Sequence, residues 1–203
     1  MKINKGTFIS FEGPEASGKS SQILILKKYF IKNKIPYIIT REPGGTKLSE
    51  ILRKIILNNK SNINNIEEIL LLMAARSHHI NNIILPNLIK GKIVISDRFA
   101  DSTFVYQGFV NKFGIKNSKN LHSKILNNFY PDITFIFNLS VNEIIKRIKK
   151  RKNKNKYDKI DISFHKSVIN GYKKISTSKR YINIDASLSK ENIHKNILNC
   201  LNL

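Results

Sequence analysis

The residues GPEASGKS, from Gly13 to Ser20, hold the densest chemistry in this sequence. They fit the pattern G-x-x-x-x-G-K-[ST], with Pro14, Glu15, Ala16 and Ser17 between Gly13 and Gly18. Glycine at both ends permits a tight turn and a close approach of backbone to ligand. In such a loop, opening into a helix, the backbone N–H groups converge on phosphate oxygens at the positive end of the helix dipole. Lys19 is expected to reach the β- and γ-phosphates of a nucleoside triphosphate, and the Ser20 hydroxyl to ligate Mg²⁺. A second cluster is KIVISDR, an apolar run that ends in Asp97 and Arg98. An acid in that place can hold Mg²⁺ directly or through water. The arginine beside it offers a planar fork to the oxygens of a phosphoryl group in transfer.

These residues need rigid supports. Residues 7–11 form a short apolar run that stops at Glu12-Gly13 and reads as a buried strand. Ile23, Leu24, Leu26 and Phe30 recur at helical spacing, so a helix is expected over 19–33. Further strands are expected at 36–40, 92–96, 132–139 and 181–184. Further helices are expected at 48–58, 141–150, 164–175 and 190–201, with a long helical stretch over 66–90 interrupted near Pro86. Strands alternating with helices imply an α/β chain: a three-layer P-loop fold with a five-stranded parallel sheet and helices on both faces. Ligands in such folds sit at the carboxyl ends of the strands, where the glycine-bearing and charged clusters fall.

The 203 residues suit one compact domain over 1–203. No apolar run approaches the ~18 residues of a membrane span. The sequence runs from MKINKGTFIS straight into a strand, with no apolar leader, and a cytoplasmic location is expected. A single cysteine, Cys200, leaves no internal disulfide. The net charge of +22 is extreme. It is spread along a chain crowded with Ile, Lys and Asn, whose codons are A/T-rich, whereas a nucleic-acid site would be a local stripe. No nucleic-acid and no membrane partner is expected. The one low-complexity tract, 149–159 (KKRKNKNKYDK), has the composition of a mobile lid over 149–160.

Taken together, FEGPEASGKSSQ (11–22), TREPGGT (40–46) and DRFADSTFVYQG (97–108) resemble the bacterial type of thymidylate kinase, with MAAR (73–76) and YPD (130–132) at fitting intervals. The resemblance implies transfer of the γ-phosphoryl of ATP to dTMP with Mg²⁺, by a homodimer joined through the helices of 48–88. It implies that Glu15 contacts the 3′-hydroxyl of dTMP and that Arg98 clamps the acceptor phosphate. Arg41 frames the acceptor pocket, and Pro43 is similar to a proline preceded by a cis bond. Arg76 donates to the thymine carbonyl, Ser102 and Thr103 line the base with Gln107 nearby, and Tyr106 packs where a 2′-hydroxyl would go. Leu72 stands where relatives usually place an aromatic that stacks on thymine, with Phe104 as another ring to cover the base. Ala16 stands where some relatives carry a loop arginine. The bacterial type takes that charge from the flap, here Arg147, Arg151 or Lys159, with Arg151 the first choice.

Three other readings compete. NKYD at 155–158 matches a guanine-reading motif of GTPase switches, but it follows a lysine-rich helix end and not a strand, and no D-x-x-G follows the third strand. A nucleic-acid binder would interleave aromatics in its basic run, which has only Tyr157. A kinase for AMP, GMP or CMP is separated by turnover alone.

Overall fold

The computed structural model describes residues 6–58, 60–150 and 161–203. Its five strands are β1 (Phe8–Glu12), β2 (Tyr37–Arg41), β3 (Ile93–Asp97), β4 (Ile133–Asn138) and β5 (Tyr181–Asp185). They form one parallel sheet in the order β2-β3-β1-β4-β5. The sequence FISFE is buried along its whole length, as a central strand covered on both faces must be. Phe11 is in register with Asp97 of β3, and Glu12 with Ile136 of β4. The chain leaves β1 for β2 and β3 on one side and for β4 and β5 on the other. A crevice therefore opens at the carboxyl ends of β1 and β3.

Alternation along the strands sorts the core into two halves. Ile9, Phe11, Phe135 and Phe137 face α1 (Lys19–Lys32), α7 (Val141–Lys149) and α9 (Lys190–Leu201), which contribute Leu26, Phe30, Ile144 and Ile197. Phe8, Val94 and Ile136 face the opposite layer. That layer holds α3 (Asn65–His79), α4 (Leu85–Ile89), α5 (Ala100–Thr103), α6 (Ile115–Leu126) and α8 (Ile162–Ile175). α2 (Lys47–Leu57) lies outside and packs on α3, burying only Ser49 and Ile56. α3 begins with a reciprocal cap: the Asn64 side chain accepts from the N–H of Glu67, whose carboxylate accepts from the N–H of Asn64. Among the described residues, no helix is long and apolar enough to cross a membrane.

Two elements differ from the expectation. The stretch over 66–90 does not break at Pro86. α3 ends at His79, a π-helical segment Ile80–Ile84 follows, and Pro86 sits in the first turn of α4. Proline is tolerated in the first turn of a helix, where its fixed φ suits the start. The second difference is helical structure over 100–110 and 115–126 that periodicity does not reveal. Its segment Phe104–Val110 is π-helical and buries Phe104, Val105, Tyr106, Gln107 and Gly108 in succession, so no face recurs every 3.6 residues.

Candidate active site

The loop after β1 has the backbone that its glycines allow. Gly13 has φ +137°, and a Cβ there would fall 2.7 Å from the carbonyl oxygen of Phe137. Gly18 has φ +98° and opens α1. Lys19 curls back over the loop, its Nζ donating to the carbonyls of Gly13 (3.0 Å) and Pro14 (2.8 Å) and to Ser17 Oγ (3.3 Å). Burial, with the nearby Arg98 charge, pushes its ammonium down to about 8. Ser20 Oγ donates to Asp97 Oδ2 at 2.7 Å, joining the first turn of α1 to the end of β3 across 77 residues. The cleft over this loop is rimmed by Arg41, Arg53, Arg98 and Arg147.

Arg98 follows β3 in the left-handed region, with φ +73°. This turns its guanidinium back over the sheet edge. Nη1 donates to the Gly13 carbonyl (3.0 Å), Ser102 Oγ (3.0 Å) and Tyr172 Oη (3.2 Å), and Nη2 donates to Glu15 Oε1 (2.5 Å). The guanidinium lies 5.2 Å from the centre of the Tyr106 ring. Beneath it is Glu12, the last residue of β1, fully buried. Its carboxylate accepts from the Phe99 N–H, Ser102 Oγ and Tyr172 Oη. Burial first, and Asp101 second, lift the Glu12 carboxyl to about 7.

A second, narrower pocket begins at Arg98. Of the residues expected at the acceptor, Glu15, Leu72, Arg76, Arg98, Ser102, Thr103, Tyr106 and Gln107 all line it, and Arg41 stands at the phosphate cleft instead. Arg76 is buried at its floor. Nε donates to Glu42 Oε2 (2.7 Å) and Nη2 to Thr103 Oγ1 (2.9 Å), while Nη1 has no hydrogen-bond partner. A buried donor in that state is costly unless a ligand completes it. Leu72 joins Ile56 and Leu57 in the lining. Phe104 is fully buried against His122 and Tyr130, outside the pocket; the rings that line it are Phe99 and Tyr106. Gln107 is held by Glu68, Nε2 to Oε1 at 2.7 Å. The peptide bond from Glu42 to Pro43 is cis.

The cleft and the pocket share Glu15, Glu42, Pro43, Leu57 and Arg98. A phosphate donor over the loop and an acceptor in the pocket would thus meet at Arg98. The thymidylate kinase family profile matches residues 11–197. The thymidylate kinase of Halothermothrix orenii is 36% identical over 95% of both chains, and that of Mycoplasmopsis pulmonis is 40% identical over 96% of this chain and 87% of its own. The crystal structure of thymidylate kinase from Ehrlichia chaffeensis superposes with a TM-score of 0.77 at 30% identity, over 97% of this chain and 99% of that one.

The chain belongs to the thymidylate kinase family.

Within this family member, several residues of the site escape sequence reasoning. Glu12 reads as the end of an apolar strand; its signal is a lone charge in that run. Arg53 lies on α2 at helical spacing with the buried Ser49 and Ile56, and its Nη1 donates to the Pro43 carbonyl at 2.7 Å, so a charge on an inward face is its signal. Tyr172 and Glu42 give no local sign. Arg147, expected from the flap, belongs to α7; it donates to the carbonyls of Ala16 (3.4 Å) and Ala186 (2.9 Å). Arg151, Lys159 and the NKYD motif lie outside the described residues, as does all of the expected lid beyond Lys150.

Proposed function

We propose that this chain is a single-domain kinase that transfers the γ-phosphoryl of ATP to dTMP, giving ADP and dTDP. The observation that carries the reading is the unpartnered Arg76 Nη1 at the floor of a pocket whose mouth, Arg98, is shared with the phosphate loop. The loop N–H groups from Gly13 to Ser20 hold the donor phosphates, and Lys19 exchanges its loop carbonyls for phosphate oxygens. Ser20 Oγ and Asp97, 2.7 Å apart, are the hard oxygen donors that suit Mg²⁺. Held there, Mg²⁺ would supply positive charge that offsets the negative charge developing on the donor phosphates.

Arg98 clamps the acceptor phosphate and stays beside the oxygens that gather charge in transfer. Arg41, Arg53 and Arg147 bring further positive charge to the rim. Glu15, held by Arg98, accepts from the 3′-hydroxyl of the sugar. Tyr106 occupies the space of a 2′-hydroxyl. Arg76 Nη1 donates to the 4-carbonyl of thymine, with Ser102 and Thr103 along the base. The aliphatic Leu72 covers the base face but loses part of the stacking a ring would give, a term worth roughly 1–3 kcal/mol per base. Purified enzyme offered MgATP with dTMP, AMP, GMP or CMP is expected to turn over dTMP best; faster phosphorylation of a purine monophosphate overturns the reading.

Two wider features belong to this proposal. The chain works in the cytoplasm. It pairs with a second copy through α2 and α3, where Leu48, Ile51, Ile55, Ile66 and Leu70 stand exposed.

A further inference from the structure

A donor that reads one carbonyl must be held in one orientation. Arg76 is held chiefly by Glu42 Oε2, at 2.7 Å. The other oxygen of that carboxylate is also engaged, since His79 Nδ1 lies 3.0 Å from Glu42 Oε1. His79 is fully buried, and its Nε2 lies 2.6 Å from Thr40 Oγ1. Burial raises the Glu42 carboxyl, but Arg76 and His79 outweigh it and hold the group below the usual carboxylate range. Glu42 is therefore ionised and can only accept, so Nδ1 carries a proton; in the neutral ring Nε2 then accepts from the Thr40 hydroxyl. The backbone makes room for this ring. Gly45 has φ +87°, and a Cβ there would fall 2.6 Å from both His79 Nε2 and Thr40 Oγ1. Thr40, Glu42 and Gly45 thus converge, from one short segment, on a histidine that lies three residues beyond Arg76 on α3 and so shares its face.

We infer that His79 is a positioning residue for base selection: it pins Glu42 Oε1, so that Oε2 fixes Arg76 with Nη1 aimed at the 4-carbonyl of a pyrimidine monophosphate. The inference rests on the proposed reading of the base pocket. A guanidinium N–H complements a carbonyl and opposes the N–H donors of a 4-amino group, so the fixed orientation separates dTMP from dCMP. Once His79 is removed, Glu42 can turn and Arg76 follows it. Among the described residues His79 bonds to Glu42 and Thr40, away from the phosphate loop and Arg98, so the loss falls on acceptor binding and not on transfer.

The test is steady-state kinetics with dTMP and dCMP on His79→Leu, Arg76→Ala and the double variant, with melting temperatures read alongside. His79→Leu is expected to raise KM for dTMP about five- to tenfold, within the range of couplings between residues of one network. It should leave kcat within about twofold and lower the dTMP-to-dCMP preference by the same factor as KM. On the Arg76→Ala background the same change should cost nothing further, because its route is already cut. His79→Gln, whose amide can still donate to Glu42, is expected to restore most of the preference. A loss equal for both substrates, a loss confined to kcat, or an undiminished loss on the Arg76→Ala background overturns the inference. If Arg76→Ala itself leaves the preference unchanged, the base-pocket reading fails and the inference falls with it. Should His79→Leu not fold, Thr40→Val decides. It deprives Nε2 of its donor and is expected to shift KM and preference in the same sense by about two- to threefold, within that same range of couplings; unchanged values overturn the inference.

Discussion

At the scale of single residues, Arg98 and Glu12 form the centre of the site. Arg98 bonds to the loop carbonyl of Gly13, to Glu15 and to Ser102, so its guanidinium is in place before substrate arrives. Such preorganised donors are worth ~2.7–4 kcal/mol in the transition state. Arg98→Ala is expected to lower kcat/KM about 100- to 1000-fold, and a loss below tenfold would remove Arg98 from the reacting centre. Glu12 makes a prediction about pH. Its folded carboxyl is raised to about 7, from an ordinary 4.5, by burial and then by Asp101. A raised acid gives its full stability below its unfolded value and loses it as pH climbs through the folded one. The loss is roughly 3 kcal/mol at most. Glu12→Gln should therefore melt higher relative to wild type at pH 8 than at pH 5, by roughly 5–10 °C for a chain of this size; a gap that does not change with pH refutes the assignment. The loop, Asp97 and Arg98 were legible because their chemistry follows local spacing. Glu42, His79 and Tyr172 were not, because each acquires its role from partners 34 or more residues away.

At the scale of elements, the strands and the amphipathic helices were legible, and the helical structure over 100–110 and 115–126 was not. Successive burial across the π-helical segment gives no periodic stripe to read. The same segment packs against α8 through Gly171, where a Cβ would meet Val105 Cγ1 at 2.8 Å and Phe109 Cδ1 at 3.1 Å. Gly to Ala within a helix ordinarily gains about 1 kcal/mol in propensity. Overpacking a core contact costs about 1–3 kcal/mol. With the nearer contact inside any normal Cβ distance, the cost wins. Gly171→Ala is expected to lose up to about 2 kcal/mol in urea unfolding. It should also lower kcat, because Tyr172 next to it donates to Glu12 and receives a bond from Arg98. A stabilised variant would show that α8 stands further off.

At the scale of the molecule, the charge of +22 and the apolar patch on α2 and α3 make different demands. The charge attracts anionic nucleotides from a distance and is screened by salt, so it raises encounter rates more than it shapes the site. The patch is local. Leu48, Ile51 and Ile55 are 43%, 56% and 39% exposed on one side of α2, and Ile66 and Leu70 are 59% and 52% exposed on α3. Apolar side chains grouped in this way mark an interaction surface. Ile51→Glu would bury a carboxylate in the proposed pairing. It is expected to halve the mass seen in sedimentation at micromolar protein while leaving the fold intact by circular dichroism. A wild-type chain that sediments as a monomer refutes the pairing.

The curl of Lys19 over its own loop has a consequence for selective labelling. The nucleophile in acylation is the neutral amine. At pH 8 about half of Lys19 is neutral, given a value of about 8 set by burial, whereas an ordinary lysine with a value near 10.4 is only ~0.4% neutral. In a chain whose surface is crowded with amines, the one at the nucleotide cleft should be the most reactive toward a small acylating reagent that can enter it. Limiting reagent at pH 8, followed by peptide mass mapping, is expected to mark Lys19 first, and MgATP to abolish the mark. Labelling spread evenly over the lysines would show that burial shields this amine more than it activates it.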